Sequence, residues 1–139
     1  EGNEFVHNLA NKLGHPSEIS RTGIVLRAVL HTLRDRLTMS ESLDLLAQLP
    51  MFLKAVYADN WKYLEKPTGI STLKEFTEEV KKHQDQYGES EFNWAKHTDE
   101  IVRIVINELG TYISQGEAEH IVAQLPKDLE QFFSESIQK

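Results

Sequence analysis

Cysteine is absent from all 139 residues, which excludes disulfides, thiol nucleophiles and zinc–thiolate centres together. No apolar run approaches the about 18–20 residues of a membrane-spanning helix, and the opening Glu1-Gly2-Asn3-Glu4 is polar and acidic where a secretion signal would be basic and apolar. The seven glycines never cluster into a phosphate-binding loop or frame a serine on a sharp turn. Basic residues are short in one half only: residues 1–66 hold 8 Lys+Arg and 8 Asp+Glu, whereas residues 67–139 hold 7 and 14. Nucleic-acid binding depends on a clustered basic face, so an acidic half and a net charge of -7 argue against it. These absences predict a soluble, cytoplasmic protein with no nucleic acid and no membrane as partner.

What the chain does have is a repeated stretch. Ala47-Gln48-Leu49-Pro50 recurs 76 positions later as Ala123-Gln124-Leu125-Pro126, and at that offset Thr22 meets Thr98, Arg27 meets Arg103, Val29 meets Val105, Leu33 meets Leu109, Glu41 meets Glu117 and Leu53 meets Leu129. Self-similarity at a fixed offset marks an internal duplication. The length fits one domain able to bury roughly two thirds of its unfolded surface.

Apolar residues spaced by threes and fours predict helices throughout. Phe5, Leu9 and Leu13 stripe a first helix that Gly14 ends. A long second helix starts near Pro16-Ser17 and carries Leu26, Val29, Leu30, Leu33 and Leu37. Thr38-Met39-Ser40-Glu41 is a capping-box pattern opening a short third helix through Leu43, Leu45 and Leu46. Pro50 disfavours helical geometry at Leu49, so a corner and a fourth helix follow, Pro50 to Tyr57, apolar nearly all round. A linker leads to Thr72-Leu73-Lys74-Glu75, a second capping box, and a fifth helix that Gly88 closes. The sixth is expected to be long, extended at its start by an insertion holding Phe92 and Trp94, with Gly110 inside it. Ser114-Gln115-Gly116-Glu117 repeats the capping box before a seventh helix, and Pro126 starts an eighth. The expectation is an all-α fold: residues 1–139 as one compact helical domain of two tandem four-helix repeats, 3–58 and 72–137, related by pseudo-two-fold symmetry around a linker, 59–71.

With those residues laid out, the chain resembles the bacterial domain-of-unknown-function family numbered 2267. The resemblance rests on Leu30-His31-Thr32-Leu33-Arg34-Asp35-Arg36-Leu37, both Ala-Gln-Leu-Pro corners, Tyr57, Trp61, Pro67, Phe76 and Val80, and covers most of the chain. The departures are Asn60, where the family more often places Gly before the Trp, and the Phe92–Trp94 insertion. The resemblance implies paired helical repeats and says almost nothing about function, the family being uncharacterised.

Candidate chemistry is sparse. Glu117-x-x-His120 has the helical spacing of a carboxylate and an imidazole on one metal, but ferritin-like sites need two such pairs and further carboxylates. The other repeat offers Glu41 with Asp44, and Glu117 is already explained as a capping residue, so neither metal nor cofactor is expected. The six histidines form no HExxH or His-x-His pattern. No catalytic residue is assigned, and an enzyme is not the favoured reading. A helix-turn-helix reading of the Leu49-Pro50 joint fails because the second helix offers Met51, Phe52, Leu53 and Val56 with a single Lys54.

Two functions of different class remain. The favoured one is a non-catalytic interaction or structural module, with Met51, Phe52 and Val56 as the surface for a protein partner or for self-association. The alternative is a small-molecule or anion-binding protein whose site lies between the repeats and is built from Arg27, Arg103, Trp61 and Trp94. Each arginine has a structural reading, binding orphan carbonyls near the Gln-Leu-Pro corner. Glu41, Gln48, Pro50, Glu117, Gln124 and Pro126 are read as structural residues of the capped turns and corners.

Overall fold

The computed structural model describes residues 2–62, 68–88 and 96–137, with side chains from residue 4. Among them are eight helices and no strand: α1 Gly2–Leu13, α2 Ile19–Arg36, α3 Met39–Gln48, α4 Met51–Ala58, α5 Leu73–Gln86, α6 Thr98–Leu109, α7 Gln115–Ala123 and α8 Lys127–Ile137. None is long and apolar enough to cross a membrane.

Local chemistry sets most of the boundaries. Gly14 stands at φ +87°, and its N–H reaches Asn11 O while that of His15 reaches Ala10 O. These two bonds form a Schellman cap, which needs a left-handed residue at that point. The turn continues through Glu18 N–H to His15 O, so α2 opens at Ile19, later than Pro16-Ser17. Both Thr38 with Glu41 and Thr72 with Glu75 form complete capping boxes, side chain to backbone in both directions. Pro50 caps α4 in extended geometry, at ψ 162°.

The largest departure from expectation is at Gly110. It lies at the C-cap of α6, and Thr111 and Tyr112 leave the helix in a turn held by Glu108 O and Leu109 O. A Cβ at Gly110 would sit 3.3 Å from Asn107 O, a tight contact with the last turn of the same helix, and at an ordinary 3.5 Å from Ile137 Cγ2. Described α6 is therefore 12 residues against 18 for α2. The expected extension at its start does not join it: His97 is an extended N-cap, at ψ 155°, and α6 opens at Thr98, while Phe92, Trp94 and Pro67 themselves lie outside the described residues.

The core follows the predicted stripes. Helix α2 packs on α1, α4, α5 and α6; α6 packs on α1, α2, α5 and α8; and α3 meets α7. Leu9, Leu26, Leu30, Leu53, Tyr57, Phe76, Ile101 and Leu129 are wholly buried. An apolar cavity of about 30 Å³ remains where Leu30 and Leu33 of α2 face Ile106 and Leu109 of α6.

Two glycines give opposite expectations under the same substitution. Gly14→Ala places a Cβ on a left-handed residue and should cost about 1–2 kcal/mol. Gly23, inside α2 with nothing within 4 Å of an added Cβ, should gain up to about 1 kcal/mol as Ala. Urea unfolding followed by circular dichroism measures both, and equal signs would contradict the assignment of the two backbones.

Candidate functional site

One face of α2 is polar. Arg27, His31, Arg34 and Asp35 fall at i, i+4, i+7 and i+8, the spacing that aligns side chains along a helix. That face meets the end of α4, where a helix leaves carbonyls without intrahelical donors. His31 Nε2 lies 2.7 Å from Val56 O, and Arg34 Nη1 donates to Tyr57 O at 2.6 Å and to Asp59 O at 2.9 Å. Side chains of α2 thus finish α4.

The same face meets α5, which supplies His83 and Tyr87 one turn apart. Because a carbonyl only accepts, His31 holds its proton on Nε2, and Nδ1 accepts from Tyr87 Oη at 2.6 Å. With the phenolic proton so used, His83 Nδ1, 3.2 Å from Tyr87 Oη, is the donor there. His83 Nε2 stands 3.7 Å from Asp35 Oδ2, and Asp35 Oδ1 stands 3.7 Å from Arg34 Nε. A chain of hydrogen bonds therefore runs Val56–His31–Tyr87–His83, and Asp35 and Arg34 continue it at charge-pair distances.

Burial governs its electrostatics. His31 is fully buried, and desolvation lowers its pKa from 6.5 to about 4, opposed by the Val56 carbonyl and helped by the Arg34 and Arg27 charges. Desolvation likewise raises Tyr87 and Tyr57 above the ordinary tyrosine range. Tyr57 Oη meets Ser42 Oγ at 2.8 Å. With both nitrogens of His31 engaged, no lone pair is free to act as a general base.

Of the proposed ligand residues, the structure places two by this chain and one elsewhere. Arg27 pairs with Asp59 and lies over the Tyr87 ring, 4.8 Å from its centroid. Trp61 packs edge-on against Tyr57 with centroids 5.7 Å apart, under the Arg34 guanidinium, pinning the start of the linker. Arg103 is exposed on α6 and lies 5.1 Å over Phe132. Trp94 lies outside the described residues. The expected bonds from Arg27 and Arg103 to carbonyls of the Gln-Leu-Pro corners are not among the contacts of the described residues; the arginine that holds carbonyls of α4 is Arg34, on Tyr57 O and Asp59 O at the far end of that helix. Neither the small central cavity nor a groove of about 540 Å³ at α6–α8, bordered by Gly110, Gln115, Glu119 and Glu130, is lined by Arg27, Arg103 or Trp61.

The proposed partner surface divides in the same way. Met51 is 75% exposed. Phe52 is half-buried, its ring 5.6 Å from that of Phe5, which in turn lies 5.6 Å from Tyr112. Val56 is half-buried and gives its carbonyl to His31. Leu43 and Met39, 52% and 39% exposed, form an apolar i, i+4 pair on α3. The phase of Ser42, Leu45 and Leu49, the buried positions, could have shown that Leu43 points outward.

The structural residues hold further contacts. Glu41 closes its capping box, and Pro50 and Pro126 accept from Lys54 N–H and Glu130 N–H at the starts of α4 and α8. Gln48 does not serve its own corner: its Oε1 accepts from Ser114 N–H, 3.1 Å away across the α3–α7 contact. Gln124 is exposed at the C-cap of α7. Ser114 Oγ accepts from Glu117 N–H, but with the Ser114 N–H taken by Gln48 the Glu117 carboxylate does not return to it.

Asn60 adopts φ +54°, the left-handed geometry for which Gly is the easiest residue and Asn the commonest substitute. That accounts for an Asn just before Trp61. No curated protein matches the sequence. The profile of the family described as "Uncharacterized conserved protein (DUF2267)" matches residues 2–132, and the chain belongs to that family.

Proposed function

We propose that the chain is a non-catalytic helical module of two four-helix repeats, 3–58 and 72–137, and that it self-associates through the first. The observation that carries this reading is that Met39 and Leu43 on α3, and Met51 at the start of α4, are exposed apolar side chains. At the repeat offset the same positions are Gln115, Glu119 and Lys127. The duplicated frame is therefore apolar at this place in one copy and polar in the other.

The packing supports the repeat reading. Helix α1 with α2 corresponds to α5 with α6, α1 with α6 to α5 with α2, and α2 with α4 to α6 with α8. The α3–α7 and α2–α6 contacts map onto themselves, as contacts on a two-fold axis do. A second copy is the favoured occupant on charge grounds. Residues 1–66, which carry Met39, Leu43 and Met51, hold equal numbers of basic and acidic residues, so a contact made through them meets less like-charge repulsion than one made through the acidic residues 67–139. An anion site made by the paired arginines has less support, since Arg27 already meets Asp59 and Arg103 lies on Phe132.

Sedimentation equilibrium tests the proposal. The wild-type chain is expected to dimerise with concentration, and Leu43→Glu with Met51→Glu to leave a monomer of unchanged helical content. A wild-type chain still monomeric at about 1 mM, where even weak association registers, would remove self-association as its role.

A further inference from the structure

We infer that Asp44, Glu117 and His120 form a binding site for a first-row divalent transition cation that clamps α3 to α7. One ligand atom from each residue lies within 4.8 Å of the others. Glu117 and His120 share a face of α7 at i, i+3, and Asp44 comes across the α3–α7 contact. Counting ligands along the sequence left this Glu-x-x-His pair short; the packing of the two short helices supplies the third.

The state of Glu117 points to a ligand independently. In the other two capping boxes the glutamate is consumed locally. Glu41 Oε1 accepts from Thr38 N–H at 2.9 Å, and Glu75 Oε1 accepts from Ser71 and Thr72 N–H at 2.9 and 3.2 Å. At the third, Gln48 occupies the Ser114 N–H. The Glu117 carboxylate is thereby released, and its Oε2 is shut off from solvent with no hydrogen-bond partner among the described residues. A buried anionic oxygen without a donor is costly, and here it stands beside a second carboxylate. A bound cation removes both penalties.

The donor set narrows the ion. Two carboxylate oxygens and one imidazole nitrogen suit Zn²⁺, Mn²⁺, Fe²⁺ or Co²⁺, whereas Mg²⁺ and Ca²⁺ prefer oxygen throughout. Three protein ligands leave further positions for water or for a group from a partner. Asp44 and His120 are exposed, so the ion has a path in and either residue can be replaced without disturbing the core.

Calorimetric titration of the metal-stripped full chain with ZnCl₂ and with MnCl₂ is the test. One saturable site per chain is expected, with affinity reduced about tenfold or more in Asp44→Asn and in His120→Gln, and with MgCl₂ bound more weakly than either. Absence of saturable binding, or wild-type affinity in both variants, overturns the assignment. A readout needing no variant is Mn²⁺ broadening of the imidazole proton resonances. His120 should broaden first, and a lead by His7, His15 or His97 would place the ion elsewhere and overturn it too. Neither measurement depends on whether the chain dimerises.

Discussion

Arg34→Ala is expected to cost about 2–4 kcal/mol of folding stability. Arg34 is only 6% exposed and serves both Tyr57 O and Asp59 O at the end of α4. Each carbonyl left without a donor costs about 1–3 kcal/mol, and the lower part of the combined range applies where water enters the vacated space. The guanidinium also lies against Trp61, so its loss loosens the start of the linker as well as the helix end. Arg34→Lys should recover part of the loss, because an ammonium keeps a charge and a donor but not the planar fork that reaches two carbonyls. Urea unfolding followed by circular dichroism gives both values. A loss below about 1 kcal/mol for Arg34→Ala would mean that those carbonyls find water at little penalty.

The second large effect is a loss of stability in mild acid, and it originates at His31. In the unfolded chain this imidazole takes up a proton near 6.5; in the folded chain it does so only near 4. Between those values the unfolded state binds the extra proton, so lowering the pH favours unfolding. The contribution of neutral His31 is complete above pH 6.5 and is lost as the pH falls from there towards 4. Linkage makes the change about 2 kcal/mol between pH 7 and pH 4.5. In His31→Gln, an amide that can still donate to Val56 O, this component should vanish. Paired unfolding curves at the two pH values isolate it, since other groups titrate in both proteins. Equal pH dependence in wild type and variant would show that His31 is free to ionise in the fold.

These effects arise in the part of the molecule that the sequence exposed least. Where a feature is local it could be read directly: Gly14 and Gly88 stand at φ +87° and +97°, and Thr38–Glu41 and Thr72–Glu75 are capping boxes, because each involves only neighbours along the chain. The same rule misled at Ser114, whose pattern is identical but whose N–H is claimed by Gln48 from 66 residues away. Gly110 stands at a C-cap rather than in a helix interior because Thr111 and Tyr112 turn away there, and a glycine in a helical pattern does not by itself mark where the helix stops. Arg27 stands out through repetition, while His31 and Arg34 enter only inside the stretch Leu30–Leu37 that carries the family resemblance, with no role attached, and Tyr87 enters only as an apolar position of the fifth helix. Their meaning comes from α4 and α5 meeting one face of α2. Asp44 is paired in sequence only with Glu41 of its own repeat, whereas the α3–α7 contact sets this exposed carboxylate near Glu117 and His120.

The interleaving of the two halves bears on how the chain is made. Helix α2 buries one side against α5, which ends about 50 residues further along, and α1 packs on α6, later still. At ribosomal rates of about 5–20 residues per second, the α2 face that carries Arg27 and His31 waits several seconds for α5, and the apolar stripe with Leu30 and Leu33 waits longer for Ile106 and Leu109 of α6. During that interval Leu30 and Leu33 lack the partners that α6 supplies across the central cavity. A nascent chain paused in the linker would present that stripe to whatever chaperone stands at the tunnel exit.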